Sequence, residues 1–226
     1  RVPITVRNDF EANAAGLAAL SPNHVQALSR AQPQGPVKAL LGPGTGLGVA
    51  WLDAVAGPRT SEAGHGVAAA RTAAQRALLQ AVAARVGHAP EWEDVLSGPG
   101  LANLYLARSK PGRLRRAVLG APVAERPKLI SASREPAARQ AMEAAGGFLA
   151  SKAQDVALAF LPYGGLYLCG RITDALRPHF ARARFLAQFA AHPSHAALLR
   201  RIPLFHVRTW DVGLLGAAVL AWGLVE

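Results

Sequence analysis

The spacing of apolar and polar positions divides this chain into short apolar runs and longer Ala-rich stretches. Val2-Pro3-Ile4-Thr5-Val6 reads as a strand within residues 1–7, followed by a helix from about Ala12 to Leu20 that ends at Ser21-Pro22. Val37, Ala39, Leu40 and Leu41, then Val49, Ala50, Trp51 and Leu52, flank a glycine-rich turn and predict two strands of a hairpin. Gly64 to Val86 predicts a long helix, and Ser97-Gly98-Pro99-Gly100 leads into another over Leu101–Leu106, with Pro near the start as its fixed φ allows. Residues 110–128 read as a Pro- and Arg-rich connection. A helix from about Pro136 to Phe160, a buried strand over Leu166–Gly170, a helix from about Thr173, a strand over Ile202–Val207 and a helix over Val212–Val225 complete the pattern. Strands alternating with helices predict an α/β layered fold.

The glycine-rich turn, Leu41-Gly42-Pro43-Gly44-Thr45-Gly46-Leu47-Gly48-Val49-Ala50, carries the clearest chemical signal. Glycine belongs where the backbone needs positive φ or must approach something closely. Consecutive N–H groups with a Thr hydroxyl among them make a concave site suited to phosphate. An ordinary hairpin with a Gly-rich turn would show the same residues.

Composition narrows the classes. At 226 residues, 51% hydrophobic and 17% charged, the chain can bury a sizeable core and is not of the disordered type. One cysteine, Cys169, leaves neither a disulfide framework nor a thiolate zinc site, which fits a reducing cytoplasm. His192 and His195 lie three apart without a third ligand in view, so no metal site is expected there. Arg1 to Phe10 mixes charge with apolar residues, unlike a secretory signal. The longest uncharged apolar run, Val212 to Val225, has 14 residues, too few to span a bilayer and suited to a buried helix. The formal charge of +11 is densest at Arg108, Lys110, Arg113, Arg115 and Arg116, where Tyr105 is the only aromatic residue nearby. A solvated basic face explains it, and binding to a polyanion is the other reading.

Four constellations put polar residues at the ends of apolar elements. Asn8-Asp9-Phe10 follows the first strand, where ligands of open α/β sheets gather, and Asp9 could serve there as a general base. A helix N-cap is the alternative. Ser61-Glu62-Ala63-Gly64-His65 sets Glu62 and His65 three apart across a glycine, able to converge on a small ligand. Glu93 precedes Ser97-Gly98-Pro99-Gly100, and Leu168-Cys169-Gly170-Arg171 is a strand ending in a turn open to a flat ligand.

Taken in order with the hairpin, these pieces resemble the bacterial ATP-dependent glucokinases of the hexokinase/actin-like superfold. The resemblance rests on Asn8-Asp9-Phe10, the run from Gly44 to Ala50, Glu62-Ala63-Gly64-His65, the run from Val95 to Tyr105, and Gly213-Leu214-Leu215-Gly216-Ala217. It implies a ribonuclease H-like, actin-like fold. It also implies transfer of the ATP γ-phosphoryl group to the 6-hydroxyl of glucose in glycolysis, with ATP and Mg2+ as cofactors. By the same resemblance Asp9 is the catalytic base, and Asn8, Glu62, His65 and Glu93 hold the sugar. Gly44, Thr45 and Gly46 form a phosphate-binding turn, and Gly170 borders the adenosine pocket. Residues 1–10 would be a remnant of the small domain, 11–208 the large sugar- and nucleotide-binding domain, and 209–226 a closing helix against the small domain.

Two departures from the family stand out. Its first phosphate clamp, Asp-x-Gly-Gly-Thr, does not occur in this sequence, and Gly170-Arg171 stands where the family usually has Gly-Gly. Arg171 could crowd the nucleotide or offer its phosphates a cation. With one clamp the chain alone is expected to show little kinase activity, and an uncovered closing helix favours a homodimer or other self-association. The competing reading is a catalytically silent homologue that binds sugar or serves as a regulatory or interaction domain. Partners expected on the first reading are glucose and ATP, with neither membrane nor nucleic acid.

Overall fold

The hairpin foreseen around the glycine run forms the centre of the sheet. In the computed structural model, which describes residues 4–179, 182–209 and 211–223, six strands make one sheet in the order β1-β6-β5-β2-β3-β4. They are β1 (Val25–Ala27), β2 (Val37–Pro43), β3 (Leu47–Asp53), β4 (Gly57–Ser61), β5 (Gly165–Leu168) and β6 (Leu204–Val207). β2 and β3 pair antiparallel from Val37↔Asp53 to Pro43↔Leu47, while β2, β5 and β6 run parallel. The carboxyl ends of β2, β4, β5 and β6 therefore share one edge with the start of β3.

Eleven α-helices among the described residues surround the sheet: α1 (Asp9–Gly16), α2 (Ala73–Val86), α3 (Glu93–Leu96), α4 (Gly98–Arg108), α5 (Arg113–Gly120), α6 (Arg126–Ser131), α7 (Pro136–Phe160), α8 (Arg171–Leu176), α9 (Arg182–Phe189), α10 (Ala196–Arg200) and α11 (Val212–Trp222). The period of two along β2 and β5 sorts their side chains onto two faces. Ala39, Leu41, Leu166 and Leu168 join the main core with Phe148 and Leu149 of α7. Leu40 and Tyr167 point the other way, to Leu17 and Val212 beside α1 and α11. α7 is buried on nearly every side between Gly146 and Ala157, as a small-residue helix packed within a core must be.

Several expectations need correction. No strand forms at residues 4–8, and Ile4 and Val6 are almost fully exposed; Val2 and Pro3 lie outside the described residues. With no neighbouring strand to bond, extended backbone there is left unpaired. The long helix begins at Ala73, capped by the Thr72 hydroxyl, rather than at Gly64. Upstream of it the backbone bonds across to another loop instead, Ala68 N–H to Pro90 C=O (2.8 Å). The 110–128 connection contains α5 and the first turn of α6, where Pro127 occupies a position that tolerates proline. Within it Arg115 is not a solvated charge: its guanidinium donates to Leu106 C=O (2.7 Å) and Ser109 C=O (2.9 Å), while Arg113 and Arg116 are exposed.

The closing helix differs from the buried helix foreseen. Only Val212 and Gly216 are buried, while Leu214 is 71% and Trp222 69% exposed; residues 224 and 225 lie outside the description. Its contact with α1 is a seam of small residues. A methyl on Gly216 would overlap the Ala12 carbonyl, and one on Gly16 would overlap that of Val212. No helix among the described residues is long and apolar enough to cross a membrane.

Candidate active site

Three separate segments converge on Leu47–Val49, the first three residues of β3. The Phe10 ring lies over the Gly42↔Gly48 pair, so closely that a methyl on Gly48 would collide with it. Gly64 abuts the Leu47 carbonyl. Leu47 N–H donates to Glu93 Oε2 (2.8 Å), and the Ser61 hydroxyl donates to Val49 C=O (3.1 Å). These contacts bring the Asn8-Asp9, Glu62–His65 and Glu93 segments to one end of the sheet.

The glycines divide by cause. None of Gly42, Gly44, Gly46 and Gly48 has positive φ, so close approach rather than turn geometry accounts for them. A Cβ at Gly42 would lie 2.7 Å from Cys169 Sγ, and one at Gly46 2.7 Å from Glu93 Oε2. Gly44 is the exception: nothing lies within 4 Å of where its Cβ would be. Its side faces a cleft of about 370 Å3 lined by Thr45, Val123, Pro127, Lys128, Arg171 and Ile172 among others. The turn is held by Gly44 N–H to Gly46 C=O and Gly98 N–H to Gly44 C=O, both 2.8 Å, while the Thr45 and Gly46 N–H groups donate to nothing among the described residues. Ser97 completes this side by capping α4 at Gly100 N–H (2.9 Å) and donating to Glu93 C=O (2.7 Å).

Gly170 has φ +90°, and a Cβ there would sit 2.5 Å from Pro43 C=O, so the end of β5 is brought against the hairpin turn. Arg171, the first residue of α8, lines the cleft together with Lys128 of α6. The neighbouring Cys169 thiol is pushed up to about 12 by desolvation and stays protonated at neutral pH.

Asn8 and Asp9 head α1 directly, without the strand expected before them. The Asn8 side chain accepts from Phe10 N–H (2.8 Å) and Glu11 N–H (3.3 Å), so it is an N-cap, and its amide nitrogen donates to nothing among the described residues. Asp9 is exposed, and one of its oxygens accepts from Phe10 N–H (2.9 Å). Glu62 is 87% exposed and stands 3.9 Å from His65 Nε2. His65 Nδ1 bonds instead to Glu91 Oε2 (2.8 Å), a residue the sequence reading passed over in favour of Glu93 two positions later. That hydrogen bond first, then the charge of Glu93, holds the His65 pKa above its ordinary value. The signal for Glu91 was present in the acidic run Glu91-Trp92-Glu93-Asp94, but period alone could not say which acid meets the histidine. No three His, Cys, Asp or Glu side chains among the described residues converge to hold a metal ion.

A family-wide model described as Glucokinase matches residues 3–223. This chain belongs to the glucokinase family. It is 33% identical to the glucokinase of Mesorhizobium japonicum over 96% of its own length and 64% of that relative's. The chain therefore spans just under two thirds of the length of that curated glucokinase. Among solved structures, a glucokinase from an Antarctic psychrotroph superposes with a TM-score of 0.80 at 26% identity, covering 96% of this chain and 67% of that one. A ROK family glucokinase from Streptomyces griseus, in complex with glucose and AMPPNP, shares the fold with a TM-score of 0.62 at 21% identity, over 98% of this chain and 69% of that one. The single mixed sheet with helices on both faces is thus the large-domain fold of the actin-like glucokinases.

Proposed function

We propose that this chain carries the sugar site and one phosphate-binding turn of an ATP-dependent glucokinase, which transfers the γ-phosphoryl group of ATP to the 6-hydroxyl of glucose. One observation carries the reading. The acidic segments gather around Leu47–Val49, while directly above them Gly44 is bare and the Thr45 and Gly46 N–H groups have no partner among the described residues. A backbone cradle beside a set of carboxylates suits a phosphoryl donor meeting a polyol.

In this reading Asp9 takes the proton of the attacking hydroxyl with the oxygen that Phe10 N–H does not hold. The amide nitrogen of Asn8 donates to a sugar hydroxyl. Glu62, His65 and Glu93 accept from the others, Glu93 through the oxygen that Leu47 leaves available. The apolar cleft walls Val123, Ala124, Pro127, Ile172 and Ala175 suit an adenosine, with Gly170 at its border and the phosphates reaching Gly44–Gly46. Phosphoryl transfer needs mainly positioning and charge neutralisation from the protein. The described residues form no cluster fit to hold Mg2+, so none of these roles is routed through a resident ion. Residues 11–208 form the large domain on this account, and the exposed apolar side of α11 is the face that a small domain or a second copy covers.

Calorimetry with glucose, followed by coupled measurement of ADP release, tests the reading. The 226-residue chain is expected to bind glucose and turn over weakly, since its sequence holds one glycine clamp. Absence of glucose binding sinks the proposal. Glucose binding with no turnover, even when a segment bearing Asp-x-Gly-Gly-Thr is supplied, would favour a sugar-binding regulatory domain instead.

A further inference from the structure

A buried lysine lies beneath the acidic loops and takes no part in the site described above. Lys152, in the middle of α7, is 5% exposed among Ser151, Ala153 and Gln154. Its Nζ donates to the Ala63 carbonyl (2.7 Å) and sits 5.3 Å from the centre of the Trp92 ring. A lysine buried without need is costly, because an ammonium loses its hydration inside a core. Burial indeed lowers its pKa, against the opposing charge of Asp155.

The two contacts fall on different loops of the site. Ala63 is the residue between Glu62 and Gly64, and Trp92 stands between Glu91 and Glu93. The loops are also stitched to each other by Trp92 N–H to Gly66 C=O (2.9 Å), Ala68 N–H to Pro90 C=O (2.8 Å) and a bridge between Val67 and Glu91. We propose that Lys152 is a positioning residue: its ammonium pins the Ala63 carbonyl while spanning Trp92, and so fixes Glu62 and His65 relative to Glu91 and Glu93. Methionine has nearly the shape of the lysine stem but neither donates to Ala63 nor attracts the ring face. Without Lys152 the Ala63 carbonyl loses its partner and the Glu62–His65 turn drifts from the second loop.

The test is Lys152→Met, with Lys152→Arg as the conservative variant. The His65 imidazole resonances, at fixed pH and without ligand, are expected to move in Lys152→Met and to return toward the parent in Lys152→Arg. Glucose affinity by calorimetry should fall about tenfold in Lys152→Met, because glucose must then re-order the drifted Glu62–His65 turn on binding. Where turnover is measurable, KM should rise with kcat little changed, since Lys152 touches no reacting atom. A lower Tm with unmoved His65 resonances and parental glucose affinity would overturn the proposal, leaving Lys152 a packing residue. Lys152→Leu, which likewise has no donor for the Ala63 carbonyl, is read the same way should Lys152→Met not fold. The affinity arm rests on the glucose reading, whereas the resonance arm does not. A parent that binds no glucose while His65 still responds to Lys152→Met defeats the sugar reading and leaves the positioning role intact.

Discussion

The turn proposed to take phosphate and the acids proposed to take the sugar occupy neighbouring ground but are built by different means. The turn at Pro43–Leu47 is held mainly by backbone, Gly44 N–H to Gly46 C=O and Gly98 N–H to Gly44 C=O, with Leu47 N–H tied to the Glu93 carboxylate. Among these acids, Glu93 alone is half-buried and tied to that turn, whereas Glu62 stands nearly free in solvent and the exposed His65 is tied to Glu91. Backbone wiring fixes donors at no further ordering cost when a ligand arrives, whereas exposed carboxylates must surrender rotamer freedom. The turn is thus ready in advance, and the acids depend on the loops beneath them.

Asp9, the proposed base, should give the largest effect. In a turnover-competent form, Asp9→Asn is expected to lower kcat about 10²–10⁴-fold, because an amide keeps the shape but takes no proton. Glucose affinity should stay within a few-fold by calorimetry; turnover near the parental level would remove Asp9 from the chemistry.

The glycines offer the sharpest contrast within the turn. Gly48→Ala meets the Phe10 ring and should cost about 1–3 kcal/mol by denaturant unfolding, as overpacking does. Gly44→Ala projects into open space and should leave stability within about 0.5 kcal/mol while weakening nucleotide binding. Equal destabilisation by both substitutions would show that Gly44 serves the fold rather than a ligand.

Glu93 and Glu62 separate wired from unwired acids. Glu93→Ala orphans Leu47 N–H, costing about 1–3 kcal/mol, and should reduce both stability and glucose affinity. Glu62→Ala should touch affinity alone. A stability loss at Glu62 comparable to that at Glu93 would erase the distinction.

The smallest effect concerns His65. Its raised pKa means that the Glu91 pair favours the folded state while the ring is protonated, and that this contribution fades as pH rises through the folded value. Glu91→Gln should bring the His65 titration, followed by NMR, down toward ordinary histidine. An unchanged midpoint would place the cause with Glu93 and Glu62.

Much of this was written locally in the chain. The hairpin follows from apolar runs around glycines, and the helix over Pro136–Phe160 from a proline start and an uninterrupted Ala-rich stretch. The Ser97-Gly98-Pro99-Gly100 start of α4 is likewise local, since Ser97 caps Gly100 three residues on. Each depends on groups a few residues apart, whose geometry the chain imposes on itself.

Contacts between distant residues were decided only by folding. Nothing local distinguishes Gly44 from Gly48; the difference is a phenylalanine ring contributed from residue 10. Residues 1–7 read as a strand, yet none forms over the described residues 4–7, because strands need a partner's hydrogen bonds, which sequence does not supply. Glu91 rather than Glu93 meets His65, and Glu93 turns back to Leu47, because the loop path sets which acid reaches inward. Lys152 and Ala63 stand 89 positions apart in sequence, and only the folded chain sets the Ala63 carbonyl against the ammonium. Sequence determined the elements and the residue types gathered among them; tertiary structure decided which glycine stays bare and which polar group is tied down, because close approach and partnership belong to pairs.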